Sequence, residues 1–309
     1  GATAATPATA TAATGAASAS GSGIDWSKVP AKDLVLFYPG QTSYEWVQTG
    51  KDHGGARAFL KGGDRCVTCH DKEAADMGAR LVTGEKAEAT PIPGKRGSVP
   101  VKLQAAHDGE NVTFRVQFPR GAHTPAPFVE GGKMDAVNEV KVAIMFAGLK
   151  VERGELAGCW VTCHADSRSM PNAPAAEALA SFPQKDLIDL THGVTKYLAE
   201  SRTAIELKSE PRGGWDKLKS ADELKALPEA GVLMDVMRYR SAGAPERGAI
   251  IADRRLAETG AVKATGGLDG DTWTVELTRP LKASSPNEVG LEPGQIYTIN
   301  LAIHDDFTD

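Results

Sequence analysis

The chain has 309 residues, 41% hydrophobic and 24% charged, which is enough apolar material for one large domain or two modest ones and excludes disorder over most of its length. A formal net charge of -5 excludes a broadly basic surface for nucleic acid or anionic lipid, because both need cations to neutralise phosphate. No apolar run is long enough to cross a bilayer, and the first residues lack the charged-then-apolar layout of a signal peptide.

Residues 1–23 are almost wholly Ala, Thr, Ser and Gly, a composition that buries too little apolar surface to offset ordering entropy. A flexible tether is expected there, of the kind that follows a removed signal or a membrane anchor. Residues 24–97 are Gly-rich and irregular, with short helical stretches expected around Trp46 and Cys66. This segment holds the first of two cysteine clusters, Cys66-Val67-Thr68-Cys69-His70; the second is Cys159-Trp160-Val161-Thr162-Cys163-His164.

Together the clusters use all four cysteines, and each is closed by a histidine. In the c-type haem attachment pattern two thiols form thioethers with the porphyrin, and the adjacent His is placed under the iron. The first cluster has that pattern, and the second has one extra residue between its cysteines, a minority variant. A thioredoxin-like pair has no structural need for the following His. A zinc site would join both pairs without needing His70 and His164 at the same offset. A disulfide between neighbouring cysteines is the bland alternative in an oxidising compartment. The expectation is two covalent haem c groups, on Cys66 and Cys69 and on Cys159 and Cys163, with His70 and His164 as axial ligands. Covalent haem attachment implies maturation outside the cytoplasm, so a periplasmic location follows.

From residue 98 the pattern turns to strands. Val101–Ala106 and Val112–Phe118 flank His107-Asp108-Gly109-Glu110-Asn111, and Val112, Phe114, Val116 and Phe118 alternate with polar residues, as in a hairpin with one buried face. Val140, Val142, Ile144 and Phe146 repeat the alternation, and Trp273, Val275 and Leu277 follow a turn at Asp269-Gly270. A last strand is read over Ile296–Ile303, and the end at Asp309, only a few residues later, reads as cut. The expected fold is mainly β with α insertions: a β-sandwich over residues 98–309, preceded by the small haem c segment. A helical insertion at about 165–260, with helices near 174–180, 185–200 and 220–227, is expected to cover the second haem.

The hairpin VKLQAAHDGENVTFRVQF, the strand EVKVAIMF leading to GCWVTCHADSRSMP, and the terminal YTINLAIHDD resemble the haem-binding domain of the ethylbenzene dehydrogenase and dimethylsulfide dehydrogenase γ-subunits. The resemblance covers roughly residues 99–309. It implies a β-sandwich that holds a haem and exchanges electrons with a molybdenum enzyme, with Cys159, Cys163 and His164 at the second haem. It also exposes a departure. Those γ-subunits use a Met and a Lys on a non-covalent haem, whereas Tyr297 and Thr298 stand in the last strand here.

The distal ligands therefore have to be found among the remaining residues. For the first haem His53 is favoured over Met77, which follows His70 so closely that the wrap is tight; the alternative for His53 is an exposed loop residue. For the second, His304 at the end of the last strand ranks ahead of His192 and Met170, with Met145 also in reach. His107 and His123 read as surface residues. A relay of single electrons fits best, between a membrane quinol-oxidising cytochrome or other periplasmic oxidoreductase and an acceptor, with membrane contact only through an anchor outside this sequence. The rival is a dihaem redox enzyme, a peroxidase or a sulfur-compound oxidising cytochrome. That rival needs an open iron and nearby acid-base groups, and the sequence offers no such cluster.

Overall fold

The computed structural model describes residues 22–40, 47, 50–51, 53–86, 91–128, 132–133, 135–148, 150–151, 154–157, 177, 180, 221–249 and 257–308. Ten strands make two antiparallel five-stranded sheets. The first has the order β1-β2-β3-β9-β8, from Lys32–Phe37, Ser98–His107, Asn111–Pro119, Thr272–Pro280 and Lys263–Asp269. The second has the order β10-β4-β5-β6-β7, from Ile299–His304, Lys141–Ala147, Met234–Arg240, Glu246–Ala249 and Ala257–Glu258. Val112, Phe114, Val116 and Phe118 of β3 and Trp273, Val275 and Leu277 of β9 meet Val142, Ile144 and Phe146 of β4 and Met237 and Tyr239 of β5 in one core. This is the expected β-sandwich, its inward residues set by the two-residue period of a strand.

Two parts of the chain are placed differently from the sequence reading. Within the stretch read as a helical insertion, Met234–Arg240, Glu246–Ala249 and Ala257–Glu258 form β5, β6 and β7. β5 is buried on both faces for most of its length, so only its short Met237–Arg240 end carries the alternation that marks a strand. The segment 24–97 is not separate from the sandwich, because β1 pairs with β2 in register from Lys32 opposite Leu103 to Phe37 opposite Ser98. Of the expected helices, those near 174–180 and 185–200 lie outside the described residues. The one near 220–227 is present at Ala221–Glu229.

The outer face of the second sheet positions the site. Ala143 and Met145 of β4 and Met234 and Val236 of β5 pack against Val47 and Phe59, with Phe37, Leu60, Leu156 and Ala302 at the margin. Helix α1 is Cys66–Cys69 and helix α2 is Ala74–Val82. α2 lies against the chain just ahead of β2 at a pair of glycines. A Cβ on Gly78 would stand 1.6 Å from the Gly97 carbonyl oxygen, and one on Gly97 would stand 2.7 Å from the Ala79 nitrogen. No side chain fits at either position, so the backbones touch directly. Gly97 also accepts a hydrogen bond from the Tyr38 N–H at 2.8 Å, which ties the end of β1 to the same point.

Beyond β10 the chain is held by buried charge. Asp305 pairs with Lys95 and with Arg96, the latter at 2.7 Å. Asp306 accepts from Lys133 at 2.8 Å and from the Thr124 N–H at 2.8 Å, and Asp135 pairs with Lys141 at 3.0 Å. Burial alone would push the Asp306 and Asp135 carboxyls up. The hydrogen bonds from Lys133, Thr124 and His123 to Asp306, and from Asn138, Val137 and Lys141 to Asp135, outweigh it and hold each at about 2, below the ordinary 3.8. A depressed carboxylate stabilises the fold fully above its unfolded pKa and loses that contribution as pH falls through its folded one. Urea denaturation followed by circular dichroism should therefore show stability falling between about pH 4 and pH 2, by on the order of 1–2 kcal/mol per group. Asp306→Asn should remove its share of that slope.

Candidate functional site

The sequence CVTC forms one helical turn, which brings Cys66 and Cys69 to the same side of α1 because residues three apart share a helix face. The His70 N–H donates to the Cys66 carbonyl at 2.9 Å as the chain leaves that turn. Gly54 and Gly55 follow His53, and a π-helical turn over Ala58–Gly62 ends at Gly63 in the left-handed region. This layout wraps residues 53–62 over one wall of a cavity, with α1 and α2 as the other walls. His53, Phe59, Cys66, Cys69, His70 and Met77 all line it.

The two histidine rings are neighbours in this cavity. Their ring centres are 6.3 Å apart and their planes are inclined by 30°. Two metal–nitrogen bonds of about 2 Å, with about 1.1 Å from each nitrogen to its ring centre, span about 6 Å, so the pair has the spacing of two axial ligands on one iron. Each ring is anchored at Nδ1, His53 by the Val47 carbonyl at 2.7 Å and His70 by the Glu73 carboxylate at 2.9 Å. A ring that donates from Nδ1 presents the lone pair of Nε2 to a metal, and outer partners of this type fix ligand tautomer and orientation. A Cβ on Gly55 would come within 3.1 Å of the His53 ring, so the glycine leaves that ring its place.

The thiol arrangement also suits the group the motif implies. Burial pushes the Cys66 thiol up from its ordinary value, and neighbouring Cys69 adds to the shift. The Cys66 sulfur lies 3.6 Å from the carbonyl oxygen of Leu156, in helix α3, Gly154–Ala157. Val47, Ala58, Phe59 and Leu81 supply apolar surface for a porphyrin face, while Arg65, Arg80 and Lys86 place cations on the same cavity for its propionate carboxylates. The residues present therefore fit a haem c held by Cys66, Cys69, His70 and His53.

A family model described as ethylbenzene dehydrogenase matches residues 24–309. The chain belongs to the ethylbenzene dehydrogenase family. The match starts well before residue 99, so the family pattern takes in the first cysteine cluster as well as the sandwich. Cytochrome c-552 of Stutzerimonas stutzeri is 38% identical over 285 residues, covering 91% of this chain and 81% of that protein. Cytochrome c-551 of Rhodocyclus tenuis is 40% identical over 152 residues, 49% of this chain and 59% of that protein.

The other expected ligands of this family member are scattered. Met77 lies on α2 and lines the same cavity as His53, but it is the two histidines that stand at the spacing of a ligand pair. His304 ends β10 opposite Lys141, on the strand face that it shares with Asn300 and Ala302. That is the end of the sheet away from Ala147, where the chain departs toward the second cluster. Met145 is buried at 3% exposure on the outer face, beside Val236. Cys159, Cys163, His164, His192 and Met170 lie outside the described residues. His107 ends β2 and His123 bonds to Asp306 at 2.6 Å from the rim of the charge cluster; both are exposed, as read from the sequence.

Sequence reasoning did not find Val47, Gly55 or Glu73, the residues that hold and make room for the two rings. The adjacent glycines after His53 were a readable signal for a tight wrap, and Glu73 stands one turn past His70. Val47 acts through its carbonyl, and a backbone acceptor leaves no trace in residue identity.

Proposed function

We propose that the chain is an exported c-type cytochrome with two covalently attached haems, relaying single electrons between a membrane or periplasmic donor and a redox enzyme. The observation that carries this reading is the pair His53 and His70, set at the spacing of two axial ligands beside a Cys-x-x-Cys turn. When bound there, a haem supplies the one-electron couple; the protein supplies its ligands, its burial and its placement. A site closed on both sides by His fits transfer better than catalysis, because a substrate needs an open coordination position. The cytochrome names of the two relatives agree with it.

The second haem rests on Cys159, Cys163 and His164. Leu156, whose carbonyl meets Cys66, precedes Cys159 by three residues, and three residues of chain reach at most about 11 Å. A relay needs two haems near each other, and this short link in the sequence favours that arrangement. Among the described residues no helix is long and apolar enough to cross a membrane.

Intact-mass analysis with a pyridine haemochrome assay tests the count. The expected result is two haems per chain, falling to one in Cys66→Ser/Cys69→Ser. A bare polypeptide mass would end the cytochrome reading, and a single haem in the parent would end the dihaem reading. Carbon monoxide should react slowly, if at all, with the reduced parent protein. Prompt binding would favour the enzyme.

A further inference from the structure

The two neighbouring histidines are anchored unequally. His53 Nδ1 is held by a neutral carbonyl, that of Val47, and His70 Nδ1 by a carboxylate, that of Glu73. We infer that Glu73 is a positioning residue that lowers the reduction potential of the first haem by drawing the Nδ1 proton of His70 toward its carboxylate. This rests on the bis-His reading of the site given above.

A charge-assisted bond from a ring N–H to a carboxylate is stronger than one to a carbonyl, and it leaves more negative charge on the opposite ring nitrogen. With Nε2 as the iron-binding atom, that charge favours the ferric ion over the ferrous one. The backbone is shaped to make the contact. Lys72 adopts a φ of 66°, unusual for a residue with a side chain, and the Glu73 N–H donates to the His70 carbonyl at 3.2 Å. This tight turn returns the Glu73 carboxylate to the ring it follows.

Two structural roles compete with this one, and neither accounts for the residue. Glu73 is the N-cap of α2, yet its side chain makes no capping hydrogen bond, and Glu is not among the preferred N-cap residues. As an ion pair it is too exposed to contribute much to stability, with 56% of the Glu73 side chain accessible. What remains is its effect on the ring and, through the ring, on the metal.

The test is a spectroelectrochemical titration of the intact dihaem protein, in parallel with the variants Glu73→Gln, Glu73→Ala and Glu73→Asp. The potential that His53→Ala perturbs identifies the first haem. Glu73→Gln keeps the size and an acceptor oxygen but loses the charge, so that potential should rise while the bis-His spectrum and the melting temperature stay as in the parent. Glu73→Ala should raise it at least as far, and Glu73→Asp, which keeps the charge, should move it less than Glu73→Gln. If the parent is bis-His and Glu73→Gln leaves the potential in place, this inference fails and the site reading stands. If the parent shows the weak far-red ferric band of Met ligation at the first haem, the site reading fails and takes the inference with it.

Discussion

In His53→Ala the first haem should lose its second axial ring, and the electronic spectrum should change from low-spin six-coordinate to high-spin five-coordinate. The parent should be inert toward carbon monoxide at this site, and the variant should bind it rapidly once reduced. The argument is geometric: the ring of His53 stands 6.3 Å from that of His70, across the wall that carries both thiols. Met77 is the one complication, because it lines the same cavity and has a sulfur that iron accepts. The variant His53→Ala/Met77→Ala removes that substitute. A parent spectrum already five-coordinate, or a His53→Ala spectrum identical to the parent, would show that His53 is not a ligand. Covalent attachment should survive both substitutions, since Cys66 and Cys69 are untouched, and so the haem count by mass separates lost ligation from lost haem.

The largest loss of stability should come from Asp235→Ala, a buried charge between the two sheets. Asp235 lies on β5 with its carboxylate in the sandwich interior, 1% exposed, where it accepts from Arg279 at 2.9 Å, from Arg247 at 2.8 Å and from the Val289 N–H at 2.9 Å. Arg279 is equally buried, and burial pulls its guanidinium below the ordinary value despite the facing carboxylate. Removing the anion strands a cation that also stacks 4.9 Å from the centre of Phe146. Breaking one partner out of a buried pair costs about 3–5 kcal/mol, whereas replacing the pair by apolar groups of similar size is often neutral. Urea denaturation should show that loss for Asp235→Ala, and Asp235→Leu/Arg279→Met should recover much of it. An additive double variant would mean that the two charges are not coupled in the folded state.

The legible parts of this fold are those whose residues face two different environments. β3 and β9 put Phe114, Val116, Val275 and Leu277 inward and Arg115, Gln117, Thr274 and Glu276 on the other face, so period-two alternation gave their place at once. β5 escaped because the first haem segment covers its outer face, leaving Met234 and Val236 as buried as Met237. β1 escaped because its membership in the sheet depends on pairing with a strand more than sixty residues away, a contact that local pattern does not carry. Arg279 was hidden for a third reason: it takes an inward position at the end of an alternating strand, where a charge reads as the strand's polar exit.

At the site, residue identity announced the attachment chemistry and left the ligand partners to be inferred. Cys66, Cys69 and His70 are named by their spacing, since the thioether and iron bonds demand it. His53 was favoured because it lies far enough upstream to loop over the haem while Met77 follows His70 too closely; the structure adds a ring 6.3 Å from that of His70, an anchored Nδ1 and a glycine that leaves it room. The supporting shell was not legible, because a carbonyl such as that of Val47 belongs to every residue and a Glu near a helix start has many other uses.

The contact between Gly78 and Gly97 has a consequence for the speed of the redox step. Where main chain presses on main chain there is no soft side chain to yield, and packed interiors of this kind are hardly compressible. The wall bearing Met77 and Arg80 is thereby clamped to the sandwich, and the surroundings of an iron held there would shift little if its charge changed. A metal whose housing barely rearranges gives up and accepts electrons with little nuclear motion to wait for.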